Sequence, residues 1–248
     1  MPARVHLQPS FSTSNPIPRE FSLGGANASP KLRDYYDTLF AAFGPQHWWP
    51  GRTPFEVIVG TILTQNTSWS NVELAIQNLR REKLLTPGAI EAVSFGRLAA
   101  LIRSSGYFRQ KAKKLKAFVR FLRAEYQGSL AKMFRTPTRA LRDQLLGVHG
   151  IGPETADSIL LYAGRHLVFV VDAYTRRILE RHQLAGPKHS YEDVRLFFER
   201  SLPPDVPLYN EFHALIVQTG KDYCRKRNPR CDQCPLQDFL PERTPPAS

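Results

Sequence analysis

The chain is poor in cysteine, in tryptophan and, along one stretch, in acids. Only three of its 248 residues are cysteine, and all lie between Cys224 and Cys234. An odd number in one short cluster fits a metal site in a reducing compartment better than a disulfide framework. No run of about 18 apolar residues occurs, so nothing reads as a membrane-spanning helix. The first thirty residues lack the apolar core of a secretory signal; residues 1–30 read as a loose tail and the polar, proline-rich 241–248 as a frayed end. The expected location is the cytoplasm. Between residues 97 and 142, 13 Lys and Arg accompany a single acid, Glu125. The rest of the chain sums to zero, so this segment carries the whole formal charge of +12. A one-sided field of that kind steers a polyanion onto one face.

What is present is helical patterning. With 42% hydrophobic and 23% charged residues the chain can bury a core, and its length suits one large domain or two small ones. Apolar residues recur at three and four from Leu32 to Phe40, ending at Gly44 and Pro45. The same spacing predicts helices over 54–66, 70–81, 98–104, 111–126, 138–146, 153–163, 173–184, 190–200 and 207–219. The β-branched run Leu167 to Val171 reads, on propensity alone, as a short buried strand.

The most informative stretch is LLGVHGIGPETADSILLYA, residues 145–163. A helix ends at Gly147, a tight turn through His149, Gly150, Ile151 and Gly152 follows, and Pro153 opens the next helix, where its missing N–H costs nothing. Glycines beside Ile151 permit close backbone approach, and the first N–H groups of the helix suit a phosphate; an ordinary helical hairpin would look the same. Asp172 stands twenty residues after Gly152, at the start of another amphipathic helix. It reads as an N-cap, and a carboxylate held by N–H donors stays ionised and suits stabilisation of a developing cation.

The hairpin GVHGIGPETA, the downstream VVDAYTRRIL, the upstream PFEVIVGTILTQNTSWSNV and the cysteine cluster closely resemble the helix-hairpin-helix DNA glycosylases of the endonuclease III superfamily, over about Lys31 to Pro235. HWWP, LTQNTSW, SSGYFRQKAKKL and GIGPETADSILLY look most like its 3-methyladenine glycosylase branch. The resemblance implies an all-α fold of two lobes, one over 50–164 with the hairpin at 147–153, the other combining 31–49 with 165–240. A DNA-binding cleft would lie between them, and residues 167–171 would then be an extended connection rather than a strand. The implied partner is double-stranded DNA with damaged bases, bound by a monomer, with no membrane partner.

In the family's bifunctional members a lysine in the second hairpin helix forms a Schiff base; here that position is Glu154, which cannot. The implied activity is therefore base release by a monofunctional glycosylase, with Asp172 and Glu154 as catalytic residues and Trp48, Trp49 and Trp69 around the flipped base. An N-alkylated purine fits, because its cationic base is attracted by aromatic faces and is already a good leaving group. Glu154 as a plain first-turn acid, and Trp48 or Trp49 as core, are the structural alternatives. Gln65 and Asn66 stand where family members fill the gap left by the flipped base, although a helix cap would read alike. Arg109, Lys111, His149, Gly150, Gly152 and Thr155 are the expected DNA contacts.

Cys224, Cys231 and Cys234 match three of the four ligands of the superfamily's [4Fe-4S] site, but the fourth position is Leu240. The chain then either recruits a non-cysteine ligand, for which His213 and Asp238 are candidates, holds an incomplete or labile cluster, or has lost it; zinc on three cysteines and a histidine is a further alternative. Other functional readings are a glycosylase/lyase using a different lysine, a glycosylase for mispaired adenine, thymine or uracil, and a non-catalytic hairpin DNA-binding module.

Overall fold

The computed structural model describes residues 32–241, so the expectations for both tails fall outside the described residues. Twelve α-helices, and no strand, occur among those residues: α1 Leu32–Phe43, α2 Pro54–Thr64, α3 Trp69–Arg81, α4 Pro87–Ala92, α5 Phe95–Leu101, α6 Phe108–Tyr126, α7 Leu130–Met133, α8 Thr138–Leu146, α9 Pro153–Ser158, α10 Ala173–Arg181, α11 Tyr191–Ser201 and α12 Val206–Asp222. Helix α9 runs on into a π-helical turn, Ile159–Ala163.

Helix α2 shows why these residues fold as they do. Six of its eleven residues are β-branched, which costs up to about 0.7 kcal/mol each in helix propensity. Residues Phe55 to Leu63 are all buried, and full burial of each large apolar side chain contributes about 1.5–3 kcal/mol, so packing decides. Its start is fixed locally: Thr53 accepts from the Glu56 N–H and Pro54 fills the first position. Helix α2 packs on α3, α6 and the π turn, while α4 and α5 pack on α6. In a second group α12 carries α1 and α10, and α11 touches α1. The π turn contacts both α2 and α12, which joins the two groups.

Two details of this join position the site. Residues Val168 to Val171 are buried but form no regular secondary structure and pair with no strand. Their backbone is satisfied by side chains of α11 instead: Phe169 N–H donates to the Glu199 carboxylate at 2.9 Å and Val171 N–H to the Tyr191 hydroxyl at 3.4 Å. The propensity reading of a strand is thereby corrected, because β-branched residues here serve burial rather than a ladder. The second detail is a buried ion network. Arg142 of α8 donates to both Asp157 oxygens, at 2.6 and 3.1 Å, and to Glu192 of α11 at 2.5 Å. It ties both hairpin helices to the second group.

Candidate active site and cysteine loop

A cavity of about 460 Å³ opens between the two groups of helices. Asp172, Glu154, Trp48, Trp49, Trp69, Gln65 and Thr155 all line it, so the sequence-derived catalytic and base-pocket residues converge there. Asp172 is the N-cap of α10. Its Oδ1 accepts from the Thr175 N–H at 2.7 Å and the Thr175 hydroxyl at 2.9 Å, which aims Oδ2 elsewhere. That oxygen lies 3.7 Å from His213 Nε2, too far for a hydrogen bond.

His213 and Tyr162 are the members of this site that sequence reasoning missed. His213 is buried on α12 and Tyr162 comes from the π turn; the Tyr162 hydroxyl meets His213 Nδ1 at 2.5 Å. Burial holds His213 below its usual range, opposed by the Asp172 charge, and burial pushes the Tyr162 hydroxyl well up. His213 was a candidate cluster ligand from sequence, and its place in this cavity corrects that. A signal was available: His213, Val217 and Lys221 recur every four residues on α12, one face of a helix, and all three line the cavity.

The rings form one wall. Trp49 meets Trp48 edge-on at 5.0 Å, Trp69 at 5.2 Å and, tilted, Tyr162 at 5.5 Å. Helix α2 accommodates Trp49 because residue 60 is glycine: a Cβ there would come within 3.2 Å of the indole. Both Trp48 and Trp49 are half-buried and line the cavity, and Trp49 also packs against the core. Trp49 Nε1 and His213 Nε2 are buried without a hydrogen-bond partner, which suits a ligand rather than a finished core. Lys221 lies over the Trp48 ring at 5.6 Å. Glu154, in the first turn of α9, has its carboxyl pushed up to about 7 by loss of water in the cleft and by the Asp172 charge. Its side chain is exposed at the cavity, so the shift bears on protonation there rather than on folding.

The hairpin tip is built from Gly150, at φ +83°, where a Cβ would come within 2.4 Å of Lys114. Ile151 is buried beneath it, while His149 and Gly152 are exposed. Gly152 caps α9 without a side-chain acceptor, leaving the first-turn N–H groups uncapped from within. Gln65 is already engaged: its Nε2 donates to Thr155 Oγ1 at 2.8 Å and to Gly150 O at 3.3 Å, and Lys114 donates to its Oε1. Asn66 is exposed at φ +54°, just past α2. In the basic segment Arg109 is exposed above the Phe95 ring. Lys111 corrects the expectation of a DNA contact. It is buried, and its ammonium donates to Leu63 O at 2.9 Å and Ser105 O at 2.5 Å, where burial and the Lys114 charge lower it to about 8.

At the far end of α10, Cys224, Cys231 and Cys234 line one pocket with Arg181, His182 and Leu240. Arg181 donates to Cys224 Sγ at 3.0 Å, and Arg177 to Cys224 O at 2.6 Å. Burial pushes the Cys234 thiol up. Among the described residues no three His, Cys, Asp or Glu side chains are gathered tightly enough for a single ion. Three thiols on one pocket, with the Arg181 guanidinium to offset their charge, suit a cluster in which each ligand binds a different iron. Asp238 does not line this pocket.

The sequence profile of the HhH-GPD superfamily of base excision DNA repair proteins matches residues 59–204. The chain belongs to that superfamily. The iron–sulfur binding domain of endonuclease III matches residues 224–239, so the three-cysteine loop is that of a [4Fe-4S] protein with an altered fourth position. Among HhH-GPD relatives, a Methanocaldococcus jannaschii protein provisionally named a DNA repair glycosylase is 47% identical, over 82% of this chain and 93% of its own length. Endonuclease III of Sulfolobus acidocaldarius is 29% identical, over 76% of this chain and 82% of its own. The structure of the H. pylori 3-methyladenine DNA glycosylase MagIII bound to 1,N6-ethenoadenine aligns with a TM-score of 0.68 at 28% identity, over 77% of this chain and 98% of that one. A non-covalent endonuclease III–DNA complex, with a TM-score of 0.73 at 24% identity over 85% and 94%, shares the fold. As an HhH-GPD glycosylase the chain is a base excision repair enzyme acting on DNA. No described helix is long and apolar enough to cross a membrane.

Proposed function

We propose that this glycosylase is monofunctional and that its cavity takes a flipped N-alkylated purine such as 3-methyladenine. The observation that carries the reading is a pair of carboxylates, Asp172 and Glu154, in one ring-walled cavity, with Glu154 pushed to about 7 partly by the charge of Asp172. Two acids that repel one another across one cavity favour a cation between them, whether an oxocarbenium-like sugar or an alkylated base. Each ring face adds about 0.5–2 kcal/mol for a cationic base.

Asp172 Oδ2, left open by the cap, stabilises the sugar cation or orients water. His213, which meets the Tyr162 hydroxyl through Nδ1, presents Nε2 to that oxygen at 3.7 Å, beyond hydrogen-bond distance. Glu154 occupies the Schiff-base lysine's position and has no amine to offer. On the DNA side, Asn66 fills the gap left by the flipped nucleotide, Gln65 and Thr155 brace the hairpin behind it, and His149, Gly150, Gly152 and Arg109 meet phosphate. Double-stranded DNA binds a monomer.

One observation favours a second reading. Lys221 lines the same cavity, so a glycosylase/lyase could draw its amine from α12, and its ammonium competes for the Trp48 face that a cationic base would use. Single-turnover base release from duplexes carrying 3-methyladenine, ethenoadenine, an oxidised pyrimidine, uracil or a thymine mispair separates these. Fastest release of the alkylated purine is expected. Faster release of uracil, thymine or an oxidised pyrimidine overturns the substrate, and a strand break that disappears in Lys221→Ala overturns monofunctionality.

A further inference from the structure

Three thiols are one ligand short of the four that a [4Fe-4S] cubane ordinarily takes. Leu240, at the family spacing for the fourth, lines the cysteine pocket without a donor atom. We propose that His182 is the fourth ligand, binding through Nε2 the iron that the three cysteines leave open.

His182 caps the C-terminal end of α10 and lines the pocket together with all three cysteines. It is 8% exposed, so its ring is committed to the interior. Its Nδ1 lies 3.3 Å from Phe239 O and 3.0 Å from the Tyr35 hydroxyl. In the tautomer in which Nδ1 donates to the Phe239 carbonyl, the lone pair of the neutral ring falls on Nε2. Histidine ligands are built this way: one ring nitrogen donates to a carbonyl or carboxylate, and the other binds metal.

The carbonyl that fixes the imidazole comes from Phe239, next to Leu240, and the Phe239 ring stacks on Tyr35 at 4.8 Å. The segment that would have delivered a fourth thiol thus orients a histidine instead. Gln237 also lines the pocket, but an amide is a weaker ligand for iron than an imidazole. Exchange of a thiolate for a neutral ring removes one negative charge from the cluster and raises its potential, as histidine ligands do in two-iron clusters. The ligand assignment is independent of which base the other end of α10 accepts.

The test uses full-length protein purified without oxygen, containing Mössbauer-active iron and isotopically labelled histidine, and reconstituted with iron and sulfide if needed. Mössbauer spectra should show one iron unlike the other three, and pulsed EPR of the reduced cluster one strongly coupled histidine nitrogen. His182→Ala should lose that coupling and one of four irons. His182→Cys should keep four irons and make them alike, and Leu240→Cys should restore the fourth iron to His182→Ala. Four equivalent irons in the unmodified protein, a nitrogen coupling that survives His182→Ala, or a chain that takes up no iron on reconstitution overturns the assignment. The readings on the unmodified protein decide it even if a variant fails to fold.

Discussion

The two ends of α10 are built for different purposes. At its N-terminal end Asp172 faces a cavity of about 460 Å³ whose lining includes buried nitrogens with no partner. At its C-terminal end Arg177 and Arg181 each make two hydrogen bonds, to Cys224, Gly220 and Arg225. One helix therefore holds a substrate site, where polar atoms of the cavity lack partners, and a cysteine site, whose loop is fastened to α10 by guanidinium hydrogen bonds. Substitutions at the substrate site should change chemistry with little change in stability. At buried networks they should do the reverse.

The largest effect belongs to a buried network. Arg142→Ala leaves Asp157, fully buried, without its cation, and should cost about 3–5 kcal/mol in denaturant unfolding while the folded fraction still releases base. Asp172→Asn makes the opposite case. Base release should fall about 10²–10³-fold in single-turnover assays, whereas stability should change by less than about 1 kcal/mol because Asn also caps helices. If activity and stability fell together, the cap would be the residue's whole role. Trp69→Ala should weaken release of an alkylated purine by about 1–2 kcal/mol in transition-state terms, with non-specific DNA binding unchanged; equal losses in both would remove Trp69 from the base pocket.

Glu154 supplies a pH signature. Its carboxyl ionises near 7, and the ionised form stabilises a cation, so the rate of base release should rise with pH through that value and Glu154→Gln should flatten the rise. The smallest contrast lies within the basic segment. Arg109→Ala should reduce the salt dependence of DNA binding by about one counterion. Lys111→Met should leave that slope unchanged and cost about 1–3 kcal/mol of stability by unpairing the Leu63 and Ser105 carbonyls.

The sequence revealed helices wherever apolar spacing persisted, and the resemblance placed Asp172, Glu154 and the tryptophans in one cavity. Helices α4 and α7 escaped because six and four residues are too short for a period. Their caps were legible, since Thr86 accepts from Ala89 N–H and Ser129 from Lys132 N–H. Tyr162 and His213 were not read as a pair because they meet across 51 positions, through the π turn and α12. Lys111 misled for a related reason: its charge is visible in sequence, whereas the carbonyls that consume it lie 6 and 48 residues away. His182 carried no spacing signal at all, because its relation to the cysteines is made by α10 rather than by the loop.

If the proposed function holds, the Asp172 end of α10 breaks a glycosidic bond without a covalent amine intermediate. The most direct measurement incubates the protein with a 3-methyladenine duplex in the presence of borohydride, and in parallel with and without alkali. Free base, a strand that breaks only on alkaline treatment and no trapped adduct are expected, with base release strongly reduced in Asp172→Asn. A borohydride-trapped protein–DNA adduct, or a strand cut without alkali, would contradict the proposed function.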